Sequence, residues 1–349
     1  MVNKTMSKKI KIMIIMTGVI LSFLLSISIG GAAVTTRDIG HVFAYRLFGT
    51  ALPADFNLVT VGLIWNIRLP RVLLSFIVGA ALAVSGTVMQ SVLKNPLASS
   101  YTIGVSAGAG LGAIIIIVLG ISSSVLGMFL MPVVSIIFGM ATIVFAVLFA
   151  SKMDDHLSNH SIILVGMVLS IFINAIIMTL ASRSPQYAYQ ISLWQLGSFS
   201  GSEWSVVGIV FAATILLVFW LCIYIKEMDV LTFGDEQASA IGIDVKKTKW
   251  FLLIASSMLT AVSVAFVGVI GFVDLIAPHV IRRTFGAAHR YVLPLSALFG
   301  GAFMILADLV ARTVIAPSVL PIGSVTALIG APFFGYVFLK GGKRKAGVS

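Results

Sequence analysis

Apolar runs of about twenty residues recur along this chain, with only short polar breaks between them. A run of that length with almost no charge is what a helix needs to cross a bilayer. In hydrocarbon every backbone N–H and C=O must be paired within the protein, so only helices and closed barrels can cross. The reading is therefore an all-α polytopic membrane protein. Composition agrees: 59% of residues are hydrophobic and 10% are charged, where a soluble domain is about half apolar. The length of 349 residues leaves room for about ten spans and no large soluble domain, so residues 1–349 read as one transmembrane unit. The expected spans are Ile12–Val34, Leu73–Leu93, Tyr101–Ile121, Val125–Ala150, Ser161–Ala181, Trp204–Ile225, Trp250–Val267, Val269–Ile281, Tyr291–Ile315 and Gly323–Leu339. The eighth is too short to cross alone and contains Pro278. It is expected to be a half-helix or to lie within protein, where broken backbone is tolerated.

The net charge of +11 gives no nucleic-acid signal, because the charge is sorted by loop instead of gathered in a patch. One set of loops holds Lys94, Lys152, Lys226, Lys246, Lys247, Lys249, Arg282, Arg283 and Arg290, with the lysines of both termini and Arg344. The other set holds Arg37, Arg46, Arg68, Arg71, Arg183 and Arg312. The positive-inside rule then puts both termini in the cytoplasm. No A-x-A-like cleavage site follows the first run, so it is expected to stay as a helix. Trp65, Trp194 and Trp204 lie in the outer segments, as suits the membrane interface. The lone Cys222 lies in an apolar run and is expected to be buried and inert.

The longest polar island runs from Lys226 to Lys249 and reads KEMDVLTFGDEQASAIGIDVKKTK. With apolar runs on both sides it must lie outside the bilayer. A solvated loop is one reading. The other is two short helices hinged at Gly234, with Asp235 as N-cap and Glu236 in the first turn. Ala238 and Ile241, three apart, then share a face, and Gly242 provides the stop.

Catalytic patterns are missing. No G-x-x-x-x-G-K-[ST] loop occurs; Gly341-Gly342-Lys343 sits in a basic tail without the preceding glycine, so ATP is not cradled by that route. His156 and His160 have ligand spacing but flank a polar inner loop, and no metal or other cofactor is expected. No G-x-S-x-G elbow appears. Gly104, Gly108 and Gly112 form GxxxG pairs that let helices approach closely. Two acids fall within apolar runs, and such acids raise a functional question. Asp308 has Arg312 four residues on and reads as an ion pair; Asp274 has no local partner and is the better candidate for ion coupling.

Seven stretches, in order and spacing, resemble the permease subunits of FecCD-type ABC importers, which carry iron(III)-siderophores, haem or cobalamin. They are Arg68-Leu69-Pro70-Arg71; Gly79–Gln90; Asn95-Pro96-Leu97-Ala98 with 104–110; Gly234-Asp235 to Gly242; Gly271-Phe272 with Ala277-Pro278-His279; Ala307-Asp308 to Arg312; and Leu320-Pro321-Ile322-Gly323 with Gly330-Ala331-Pro332. Asp274 departs from the pattern, since many relatives have glycine there. The resemblance implies a type II ABC importer permease fold in a bacterial cytoplasmic membrane. Its implied partners are a second permease subunit, identical or paralogous, two ATPase subunits inside, and a solute-binding protein outside. ATP hydrolysis would lie on the ATPase subunits, not on this chain. Arg68, Arg71 and Arg312 would then pair with glutamates of the binding protein. Gly234, Asp235, Glu236, Ala238, Ile241 and Gly242 would seat in the ATPase. Ser161, Ser170, Asn174, Thr179, Ser324 and Thr326 would line the path. Iron-siderophore is the largest substrate class of the family, followed here by haem and then cobalamin. A proton-coupled secondary carrier working through Asp274 or Asp308 is the competing class.

Overall fold

A computed structural model describes residues 7–30, 34–121, 125–153 and 157–345, and no strand occurs among them. The helices are α1 (Lys8–Ser28), α2 (Thr36–Phe48), α3 (Leu58–Gly62), α4 (Leu69–Val92), α5 (Val105–Val118), α6 (Val125–Met153), α7 (Asn159–Arg183) and α8 (Ala188–Leu196). They continue as α9 (Trp204–Ile223), α10 (Ile225–Leu231), α11 (Asp235–Ala240), α12 (Val245–Val267), α13 (Val273–Phe285), α14 (His289–Thr313) and α15 (Ile322–Lys345). A π-helical turn, Leu63–Arg68, joins α3 to α4.

Helix starts follow capping chemistry. Ser7, Ser158 and Asp244 accept from backbone N–H groups at the starts of α1, α7 and α12. Thr35 and Asp38 form a reciprocal capping box on α2. Each satisfies donors that the first turn leaves without partners.

Ten helices stand where the ten spans were expected: α1, α4, α5, α6, α7, α9, α12, α13, α14 and α15. Seven candidate spans are long and apolar enough to cross a membrane alone, and α5, α13 and α15 are not among them. The departures have a shared cause. The chain after α4 folds back along it, so that Ser100 Oγ lies 2.8 Å from Ser85 Oγ. The third span therefore begins at Val105, not Tyr101, and α5 starts part-way along α4. The eighth begins at Val273, not Val269, after an extended stretch that ends at Phe272 with φ 71°. As expected of a piece too short to cross, α13 lies within protein, packed on α4, α14 and α15.

The spine is α4. Its span is 89% buried, against 22% for each of α1, α7 and α9. It packs on α9, α12, α13 and α14, and its small residues set the spacing. A Cβ at Gly86 would collide with the Asp274 carbonyl, and one at Gly79 with the Gly300 carbonyl. Gly108 and Gly112 serve α5 the same way, lying against the α6 backbone at Phe138 and Val134. Gly104 acts otherwise, as the left-handed residue before α5.

The exposed sides of α1, α7 and α9 carry large apolar residues, among them Ile20, Ile171, Met178, Phe219 and Ile223. Such a surface is an aggregation liability in water and the required face in lipid. It also corrects one expectation: Cys222 is exposed, because α9 presents most of its circumference outward.

Candidate functional site

Three places gather the polar side chains. The first is the end of the bundle where α9 leaves and α12 enters, here called the charged end. The polar island is ordered there as α10 and α11, separated at Gly234 with φ 145°, and Gly242 follows α11 with φ 89°. Only glycine adopts such backbone without strain. Two details are corrected. Asp235 is not the N-cap of α11, since Gly234 holds that position without a side-chain bond. Asp235 reaches sideways instead, to Lys94 Nζ at 2.7 Å and Lys249 Nζ at 2.6 Å. Ala238 and Ile241 do not share a face: Ala238 is buried, whereas Ile241 is 70% exposed at the residue where the helix ends. Phe233 is 78% exposed. Glu236 is also exposed.

The Asp235 pairing is firm because Lys249 is fully buried. A buried ammonium needs partners, and it also donates to Asn159 Oδ1 at 2.8 Å and Leu157 O at 3.4 Å. Burial pushes the Asp235 carboxyl upward, but the hydrogen bonds and charges of Lys249 and Lys94 outweigh it and hold its pKa below the usual 3.8. On the other side of the island, Asp229 of α10 accepts from the His289 N–H at 2.9 Å and lies 2.6 Å from His289 Nδ1. The island is thus a docked unit with apolar tips facing outward.

The second place is a groove among α5, α7, α8, α13 and α15. Two cavities of about 410 Å³ and 400 Å³ share Tyr101, Gln195, Leu196 and Val269 in their walls. Of the residues expected to line a path, Ser170, Asn174 and Ser324 lie in its walls. Ser161, Thr179 and Thr326 do not. Ser161 bonds with the α7 cap at Ser158; Thr179 bonds back to Ala175 O; Thr326 is fully buried. Sequence reasoning missed Tyr101, Thr102, Gln195, Ser192 and Ser106. Their signal was the polar run after Pro96 and the Trp194-Gln195 pair, but a fold-back and the short helix α8 were needed to bring them here. Asp274 also lines the groove and is the one charged side chain in its described walls. It takes hydrogen bonds from Ser99 and from the first backbone N–H groups of its own helix.

The third place, at the opposite end, brings Arg68, Arg71 and Arg312 together, but not as an outward rim. Arg71 holds Asp308 bidentately, with contacts of 2.9, 3.0 and 3.2 Å. Arg312 Nε is 3.7 Å from the same carboxylate, the expected i,i+4 pair, and its guanidinium bonds the backbone and hydroxyl of Ser26. Arg68 is 4% exposed and donates to Ile27 O and Ser28 O. The physical reason is the end of α1. Its last carbonyls lack helical partners and carry partial negative charge, and two arginines satisfy them. The docking expectation is corrected to that extent: in this chain the guanidiniums turn inward. His160 is exposed at the start of α7, His156 lies outside the described residues, and no group of three metal-ligating side chains occurs among the described residues.

Residues 18–340 match the model of the FecCD transport family. The chain belongs to that family. The ABC transporter permease protein YvrB of Bacillus subtilis is 39% identical over 91% of this chain and 90% of its own length. The hemin transport permease HmuU of Yersinia pestis is 36% identical over 81% of this chain and 85% of its own. Relatives named for cobalamin and for molybdate import also match over most of the chain. A solved structure described as an inward-facing metal-chelate type ABC transporter superimposes with a TM-score of 0.83. It is 30% identical and covers 95% of this chain and 99% of its own. Among the family's transporters this chain is thus of the ABC permease type, and the ten-helix arrangement is its permease fold.

Proposed function

We propose that this chain is the membrane-spanning subunit of an ATP-driven importer for an iron(III)-siderophore-type chelate. The observation that carries the reading is the docked α10–α11 unit. It is tied to the bundle by Asp229 and Asp235 and presents Phe233 and Ile241 outward. Exposed apolar tips on a charged surface fit a protein partner, and the partner of a permease without a phosphate loop is a separate ATPase. Two ATPase subunits seat at the charged end, which faces the cytoplasm by the positive-inside rule together with both termini. A binding protein delivers cargo at the end that holds the arginine cluster. A second permease subunit, identical or paralogous, completes the path. Hydrolysis belongs to the ATPase, and this chain performs no catalysis of its own.

A siderophore-type cargo is supported by the likeness to a metal-chelate transporter and by a groove whose polar wall residues are, Asp274 apart, uncharged hydroxyls and amides set among apolar ones. Haem is the second reading, favoured by the hemin permease among the relatives; cobalamin follows. The test is uptake into proteoliposomes that hold the permease, its ATPase and its binding protein. Accumulation of a ferric hydroxamate chelate should need internal ATP and survive collapse of the pH gradient. Uptake driven by the gradient alone would establish a secondary carrier instead. Uptake of haem in place of the chelate would move the cargo assignment to the second reading.

A further inference from the structure

Four helices meet at the charged end around one chain of polar groups, buried at its centre and partly exposed at Asp229. Arg282 of α13 donates to Ser91 Oγ at 2.8 Å, to Gln90 Oε1 at 2.6 Å and to Thr87 O at 3.0 Å, all on α4. Ser91 Oγ lies 2.5 Å from His289 Nε2 of α14, and His289 Nδ1 lies 2.6 Å from Asp229 of α10. On its far side Gln90 reaches the Asp274 carbonyl at 3.4 Å, at the groove end of α13. Gln90, Ser91 and His289 are 4%, 3% and 1% exposed.

The outer links have their polarity fixed by the two ends. A guanidinium only donates and a carboxylate only accepts. Asp229 therefore takes the Nδ1 proton of His289, and in the neutral imidazole Nε2 is the acceptor for the Ser91 hydroxyl. Ser91 Oγ in turn accepts from Arg282. The chain runs from cation to anion without a mismatch, and such chains strengthen link by link.

We propose that the Asp229–His289–Ser91–Arg282 chain is the strut through which the island that meets the ATPase sets the position of α13, and with it one wall of the groove. The proposal rests on the coupling role given to α10 and α11 above. Three observations support it. A buried ionic chain is poor glue, because apolar side chains of equal volume hold helices as well without the desolvation cost; what it adds is orientation. The chain joins α10 to α13 although the two are separated in sequence by the whole of α12. It also contains an element with two settings. The Ser91 hydroxyl has a second acceptor in place, Thr87 O at 2.8 Å. When α10 draws Asp229 and His289 away, Ser91 turns back to its own helix and the strut opens without stranding a buried hydroxyl. In this role the four side chains are positioning residues.

The experiment reads the groove directly and needs no cargo. A cysteine is placed at Leu275, on the groove face of α13, in a Cys222→Ser background, and its maleimide labelling rate is measured in the complex with the ATPase. ATP with magnesium should change the rate at least about fivefold, the lower end of ordinary coupling. Ser91→Ala and His289→Asn, which each break one link, should abolish that change while ATPase association and hydrolysis remain. Ser91→Thr, which returns the hydroxyl, should restore it. A normal ATP response in both breaking variants overturns the strut and leaves the coupling role of α10 and α11 standing. Loss of ATPase association together with the response reduces the chain to a structural one and also overturns it. No response in the unmodified chain overturns both.

Discussion

Asp308 is 1% exposed and serves two arginines at once. A carboxylate there is stable only while its partners hold it, since removing one side of a buried pair strands the other. Asp308→Asn keeps the size and removes the charge, so Arg71 and Arg312 lose their counterion together. The expected cost is about 3–5 kcal/mol, read as a lower unfolding midpoint in nanodiscs. An unchanged midpoint with transport lost would move Asp308 from structure to mechanism. Half of this cluster was legible beforehand. Arg312 is one turn from Asp308, and helical spacing announces such pairs. Arg71 lies 237 residues away, and no local pattern encodes that distance. The same limit explains the docking rim. The sequence marks Arg68, Arg71 and Arg312 as exceptions to the charge sorting, and they do gather. That they bond α1 and Asp308 depends on where α1 ends, which its apolar run leaves open by several residues.

The spans were legible in order and approximate number, because the bilayer demands helices of one length, whereas the shorter α2, α3 and α8 were not. Where a helix does not obey that length, the reading slipped: α5 and α13 begin several residues late, each after backbone that folds into the protein. The close packing that allows this gives a paired prediction. An added Cβ at Gly86 meets the Asp274 backbone, whereas at Gly18 nothing lies within 4 Å. Glycine to alanine inside a helix normally gains roughly 0.5–1 kcal/mol. Gly18→Ala should therefore be neutral or slightly stabilising. Gly86→Ala should lower the unfolding midpoint, because α4 and α13 must separate; equal midpoints would show that the contact yields freely. The polar island gives a pH prediction. The pKa of Asp235 is held below its unfolded value of 3.8, so its pairs with Lys94 and Lys249 stabilise the docked island above that pH. The contribution is lost as pH falls through the depressed folded value. Hydrogen exchange across 232–243 should rise in acid below about pH 4, the ordinary carboxylate range, and Asp235→Asn should show that rise already at neutral pH. An acid-insensitive island would leave the lysine pairs without a stabilising role.

At the scale of the molecule, the chain is a rigid spine, α4 with α12 and α14, carrying a groove on one flank and a docked island at one end. The island was legible as polar, punctuated by glycine and bounded by spans. Its anchoring was not, because Lys94 and His289 come from distant segments and Lys249, the island's own last residue, folds back onto Asp235. In the coupling role proposed for it, the island takes up work done by an ATPase and passes it to the groove, a role that calls for stiffness as well as exposure. Gly242 and Glu236 test that need without touching the bundle. Gly242 has φ 89° and open space around it, so valine there strains only the backbone that turns α11 into α12. Glu236 is exposed in the first turn of α11, where arginine replaces a negative charge with a positive one on the surface offered to the partner. The double variant Gly242→Val with Glu236→Arg should insert and dimerise normally. ATPase association, or substrate-stimulated ATP turnover in the assembled complex, should be lost. Co-purification with the ATPase separates the two effects: a failed pull-down means the surface no longer fits, and a successful one with idle turnover means the lever no longer transmits. A double variant that assembles and transports at the normal rate would show that the ATPase takes hold elsewhere.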